Sequence, residues 1–277
     1  MIIKAVGVVG VVLALGLCVS CMQQVEGTGR TQFMLYSDAE MTQLGTSAYQ
    51  ETLSTEKRST DAVAIAMLER VGKRLAAVAP DRKFAYEFTL LDSQSINAFC
   101  LPGGKVAVYT GILGYCKTEA GLAAVLGHEI AHAIANHGGE RMSQGVLVEG
   151  TQTALGTYLQ AKGASASTLS MGMAAFGMAG QLGVLLPFSR KHESEADYLG
   201  LIYMAKAGYD PTEAVQFWQR FATLDAGGQP AWLGTHPPSE QRAKDLTAKL
   251  AEANRHYAAA AEKHGVGEMV AVRYLLK

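Results

Sequence analysis

Two histidines four positions apart, with a glutamate directly after the first, form His128-Glu129-Ile130-Ala131-His132. On a helix, positions four apart share a face, so both imidazoles point the same way and can grip one metal ion. Glu129 then sits beside the metal, placed to reach a water rather than to act as a ligand. Two imidazole ligands and a carboxylate base suit metal-assisted hydrolysis of a peptide bond: the ion acidifies water and the base takes its proton. The surroundings favour this chemistry over a coincidental spacing. Residues 118–137 (TEAGLAAVLGHEIAHAIANH) hold no proline, and Leu122, Val125, Leu126, Ile130 and Ile134 surround the motif. Histidines and a carboxylate on a buried helix need partners, and a metal supplies one. Thr118 is suited to cap this helix and Gly138-Gly139 to end it.

A hydrolytic metal centre needs a third protein ligand and one position for water. The position six residues after His132 is Gly138, which cannot serve, and His137 is rotated away and is expected to end the helix. Residues 189–208 (SRKHESEADYLGLIYMAKAG) predict a second helix, capped by Ser189 and closed by Gly208. Glu193 and Asp197 lie four apart on one of its faces, and Glu195 points nearly the opposite way. Glu193 is the expected third ligand. Asp197, one turn behind, is expected to hold a ligand histidine in the correct tautomer. A solvated acidic face near a helix start would carry the same residues; the neighbouring HExxH run favours the ligand role.

These residues also carry a resemblance. HEIAH followed by ESEAD, with SRKHE before it and AGYDP after it, resembles the M48 metallopeptidases, the HtpX-like and CAAX-prenyl-protease-like gluzincins. NAFCLPGG followed by KVAVYTGIL, and the run from His236 to Arg242 (HPPSEQR), match the family's other segments in the same order. The likeness covers roughly residues 60–250 and is nearest to the soluble periplasmic lipoprotein branch. It implies one Zn2+ per chain on His128, His132 and Glu193. It also implies that His236 and Arg242, in the HP-x4-R element, stand near the metal. His236 has two candidate roles: a donor to the oxyanion, or a latch on the metal's open position.

The remaining chain sets bounds. Its 277 residues are 49% hydrophobic with a net charge of −1, enough for a sizeable core and no basis for binding nucleic acid. Residues 1–21 read as a lipoprotein-type signal segment, with Lys4, an apolar run over 5–17, and Ser20-Cys21 at the end. Acylation of Cys21 would tether the chain to a membrane, the outer one if the host is Gram-negative. Residues 22–58 are polar and read as a tether and entry segment, leaving 59–277 as the metallopeptidase domain. Residues 61–79 predict an amphipathic helix stopped by Pro80; 83–91 and 105–110 predict strands, the second leading directly into the metal helix. Residues 140–187 predict a helical hairpin over the cleft, with a membrane-dipping flap as the lesser reading of 169–187. Helix is expected over 251–264 and a terminal strand over 268–276. Cys100 and Cys116 are able to pair in an oxidising compartment or to remain buried thiols.

The expected fold is α+β: a mostly helical zincin-type, or gluzincin, catalytic domain with a small β-sheet beside the HExxH helix. Gly103 and Gly104 permit a turn into the strand carrying Val106 and Val108, which is expected to pair with an extended substrate backbone. The expected activity is zinc endopeptidase action on unfolded or misassembled cell-envelope proteins, facing the periplasm, with envelope assembly machinery as a possible partner. A chaperone-like quality-control factor with a latched or secondary protease site is the alternative.

Overall fold

The computed structural model describes residues 21–180, 186–222, 232, 236, 240–270 and 272–274. The expected signal segment, apart from Cys21, lies outside them. The chain divides into two compact units, Met1–Ser37 with His137–Arg190, and Asp38–Asn136 with Lys191–Lys277. This division differs from the boundary at residue 59 expected from composition.

In the first unit, β1 (Met22–Gln24) and β2 (Thr31–Phe33) pair antiparallel, and α5 (His137–Ala161) and α6 (Ala166–Gly180) form a helical hairpin. Arg30, from the β1–β2 turn, holds the buried Glu140 of α5 by two bonds of 3.0 and 2.8 Å. Leu35 N–H donates to Ser143 Oγ at 2.9 Å. The hairpin expected over 140–187 is present as far as Gly180. Among the described residues, no helix is long and apolar enough to cross a membrane.

The second unit holds a three-stranded sheet of order β3-β5-β4, from β3 (Glu87–Leu91), β4 (Ala98–Leu101) and β5 (Lys105–Tyr109). β3 runs parallel to β5, and β4 antiparallel. Residues 22–58 are not a tether: besides β1 and β2 they form the 18-residue helix α1 (Asp38–Thr55). Its buried positions Met41, Gly45 and Tyr49 repeat every four residues, a narrow stripe on an otherwise polar helix. Tyr49 packs with Leu91, Ala107 and Tyr109, and its hydroxyl reaches Thr89 Oγ1 at 2.7 Å. Helix α2 (Ala62–Val78) falls within the expected 61–79, and Asp61 is its cap, accepting from the Val63 and Ala64 N–H groups.

Helix α3 (Thr110–Cys116) separates β5 from α4 (Glu119–Ile134), so the strand does not lead directly into the metal helix. Thr118 Oγ1 accepts from Gly121 N–H and caps α4, whose residues are all buried. Asn136, at φ 55°, ends the helix before Gly138-Gly139 are reached, and buried His137 begins α5. Short polar Asn adopts this left-handed geometry more readily than most residues, which explains the earlier stop. Helix α7 (Leu186–Lys206) starts before Ser189, which is therefore inside it rather than its cap. Helices α8 (Thr212–Ala222) and α9 (Glu240–Ala259) complete the unit. The expected terminal strand is absent among the described residues: Met269 makes one bridge to Thr118, and Val272–Tyr274 is a 3-10 turn. Cys100 and Cys116 are free, buried thiols, and burial pushes Cys116 up to about 12.

Glu119, at the start of α4, is fully buried and ties this unit together. It pairs with Arg70, accepts from Arg74 Nη1 at 3.0 Å, and accepts from Tyr209 Oη at 2.8 Å. Burial raises its pKa, but Arg70, Glu268 and Tyr209 outweigh that and hold it below the usual carboxylate range. Glu119→Ala is expected to cost about 1–3 kcal/mol: it removes the buried acceptor shared by Arg70, Arg74 and Tyr209, while Arg70 keeps Glu268 and both guanidinium groups reach solvent. The lowered carboxyl stabilises the fold above the unfolded carboxylate pKa, and that contribution fades as pH falls through the folded value. Urea midpoints of wild type and variant should therefore differ at neutral pH and converge in acid. Equal midpoints at neutral pH would exclude this clamp.

Candidate metal centre

Helices α4 and α7 meet through two glycines. A Cβ on Gly127 would stand 2.8 Å from the Gly200 carbonyl oxygen, and one on Gly200 would stand 2.7 Å from His128 N. The backbones therefore cross in contact. His128 and His132 of α4 face Glu193 and Asp197 of α7, and all four are nearly buried.

The donor atoms converge. His128 Nε2 and His132 Nε2 are 3.1 Å apart, and each lies 3.4 Å from a Glu193 carboxylate oxygen. Ligands about 2.0–2.2 Å from one tetrahedral ion stand roughly 3.3 Å from each other, so this triangle fits such an ion. His236 adds a fourth donor: its Nδ1 lies 3.2 Å from His128 Nε2 and 2.9 Å from Glu193 Oε2. These four residues form one group able to hold a metal ion. Glu195 is also buried but is not among them.

Asp197 lies behind the ligands. Its Oδ1 is 3.0 Å from His128 Nδ1, leaving His128 Nε2 directed at the cluster. Arg242 clamps the same carboxylate with two bonds of 2.7 Å, and its Nη1 reaches Glu193 Oε2 at 3.2 Å. Burial pushes the His128 imidazole down, but Asp197 and Glu193 outweigh it and raise its pKa to about 9. Burial raises Asp197, while Arg242 and His128 hold it below the usual range. Burial likewise opposes ionisation of Glu193, which His128 and His236 keep ionised. Carboxylates that hold a proton on His128 equally favour a metal cation among the donors.

Glu129, beside His128, does not belong to the donor group. Its Oε1 accepts from Trp232 Nε1 at 2.8 Å and lies 3.6 Å from His236 Nε2. Sequence reading missed Trp232 and Trp218. Both indoles are buried and stack at 5.1 Å, and the Arg242 guanidinium lies 3.5 Å over Trp218. A lone tryptophan ahead of the HP-x4-R run carried no spacing signal.

The strand expected to pair with substrate is corrected by the sheet order. β5 lies between β3 and β4, so the backbones of Val106 and Val108 are already engaged within the sheet. Gly103 and Gly104, at φ 85° and 79°, make the turn from β4 into β5, as expected. The open edge beside α4 belongs to β4. Tyr109 N–H donates to Asn97 O, so by antiparallel alternation Ala98 and Cys100 direct their backbone groups away from β5, where Ala98 N–H meets Asn97 Oδ1 at 3.0 Å.

Residues 64–250 match the profile described as Peptidase family M48. The mitochondrial metalloendopeptidase OMA1 of Schizosaccharomyces pombe is 37% identical over 195 residues, which is 67% of this chain and 53% of that protein. A putative beta-barrel assembly-enhancing protease of Vibrio cholerae is 34% identical over 220 residues, 77% of this chain and 43% of that protein. The beta-barrel assembly-enhancing protease of Yersinia pestis is 28% identical over 211 residues, covering 73% and 42%. The chain thus spans about half the length of these relatives.

Glu193→Ala is expected to abolish tight metal binding, and Glu195→Ala to leave it intact. Asp197→Ala should weaken it by about 10–100-fold, through loss of histidine orientation. Metal titration of the three purified variants checks this ranking. Loss of metal on changing Glu195 alone would refute it.

Proposed function

Because the chain belongs to peptidase family M48, we propose that it is a zinc-dependent endopeptidase acting on unfolded or misassembled cell-envelope proteins. The observation that carries this reading is the convergence of His128, His132 and Glu193 beside a carboxylate, Glu129, that stays outside the donor group. The three ligands would hold one zinc ion, which when bound supplies a Lewis acid that acidifies water and polarises a carbonyl. Glu129 takes a proton from the attacking water and passes it to the leaving amine. His128 keeps its orientation through Asp197, and Asp197 through Arg242. An extended substrate can add as a strand to the open β4 edge, bonding to the backbones of Ala98 and Cys100. Such pairing reads backbone rather than sequence and suits unfolded chains.

His236 gives this reading a second state. Its Nδ1 stands with the three ligands, where a fourth protein donor excludes water. The arrangement supports a latched protease, and with it the alternative of a quality-control factor whose proteolysis is secondary. The envelope setting draws on the sequence of residues 1–21 and on the relatives named for beta-barrel assembly. Cys21 joins β1 directly and its carbonyl accepts from Met34 N–H at 2.8 Å, so an acylated Cys21 would hold the first unit close to a lipid surface. The outer membrane is the favoured site in a Gram-negative host, with envelope assembly machinery as a candidate partner.

Purified protein should cleave unfolded casein, and Glu129→Gln should abolish cleavage while keeping about one metal per chain, since the amide is no base. Comparable hydrolysis by that variant would sink the mechanism. His236→Ala should raise basal cleavage if the latch holds. A fall in kcat of roughly 10²–10³-fold with metal retained would instead make it the oxyanion donor. Intact-mass measurement on the membrane fraction should find a chain starting at acylated Cys21, and Cys21→Ala should prevent acylation. An unmodified soluble chain with another start would remove the anchor.

A further inference from the structure

Glu129 makes its one close hydrogen bond, among the described residues, to an indole. Trp232 Nε1 donates to Oε1 at 2.8 Å; the next polar neighbour, His236 Nε2, is at 3.6 Å. Glu129 is nearly buried, and a glutamate has three side-chain torsions to fix before its carboxylate can serve as a base. Packing fixes the indole in turn. Trp232 is fully buried, with Phe217 and Phe221 of α8 against it edge-on at 5.7 and 5.1 Å. Trp218 stacks on it at an interplanar angle of 13°. Arg242 lies over Trp218 while bonding Asp197 and Glu193. The layers Arg242, Trp218 and Trp232 thus run from the ligand carboxylates to the base.

We propose that Trp232 is a positioning residue that fixes Glu129 by its Oε1, so that Oε2 is the oxygen that takes and returns the proton. This rests on the peptidase reading above. In balanced form, one proton leaves the attacking water for Glu129 Oε2, and the same proton moves from Oε2 to the nitrogen of the breaking peptide bond. The indole N–H keeps its own proton throughout. Its hydrogen bond lowers the basicity of Oε1 and fixes the carboxylate's orientation, leaving Oε2 as the more basic oxygen. Phenylalanine at position 232 would keep the apolar packing but lose the N–H. Packing and positioning therefore give different results.

Two measurements test the assignment. In kinetics, Trp232→Phe should lower kcat about 10–100-fold, with KM and metal content unchanged, as loss of a supporting partner does. An unchanged kcat would overturn the proposal. In spectroscopy, the chain has only two tryptophans, so Trp218→Phe leaves Trp232 as the sole indole. Adding Glu129→Leu to that variant should shift its emission to the blue, because a negative charge beside the indole nitrogen is removed. Unchanged emission would also overturn the proposal, even if Trp232→Phe failed to fold. If emission shifts but the wild-type, metal-loaded protein cleaves no unfolded substrate, the contact stands and the peptidase reading is what fails.

Discussion

The contact of Gly127 with Gly200 is the constraint on which the metal centre depends. Side chains hold most packed helices 8–10 Å apart. Here a Cβ at either position would press into the opposite backbone. The close crossing brings Glu193, about two turns before Gly200, within 3.4 Å of both imidazoles that follow Gly127. A bulkier residue at either glycine would move the helices apart and separate the donors, although no ligand had been changed.

That closeness creates an electrostatic cost. Glu193, Asp197, Glu129 and Arg242 are buried within a few ångströms of three histidines. Buried charges destabilise a fold unless each is paired and hydrogen-bonded. Arg242 meets this demand with three bonds to two carboxylates, and a planar guanidinium fork is suited to do so. Trp218 covers the exposed face of that fork, and its neighbour Trp232 supplies a donor to Glu129. One aromatic stack therefore serves both halves of the site.

His236 N–H donates to Trp232 O at 2.8 Å, which ties the two residues together. The pair thus reaches His128, Glu193 and Glu129 together. Trp232 N–H donates to Ile96 O at 3.2 Å, just before β4, whose outer edge has no strand partner among the described residues. The donor group, Glu129 and the edge of β4 are all built against α4.

The sequence by itself determined the local chemistry. HExxH placed two imidazoles together with a carboxylate beside them because helical periodicity acts over four residues, and the same rule separated Glu193 from Glu195. Capping chemistry placed Thr118 correctly and Ser189 wrongly, since the second helix begins earlier. Tertiary structure decided whatever depended on distant partners. The Tyr49 stripe of α1 was too narrow to show against polar neighbours, so a packed helix read as a tether. Asn136 rather than the following glycines ended α4, a choice between two residues able to adopt left-handed geometry. The edge strand could not be assigned, because a strand's sequence does not reveal whether both sides are paired; β5 was interior and β4 open. Trp232 and the Gly127–Gly200 crossing join residues more than 70 positions apart, beyond the reach of any local pattern.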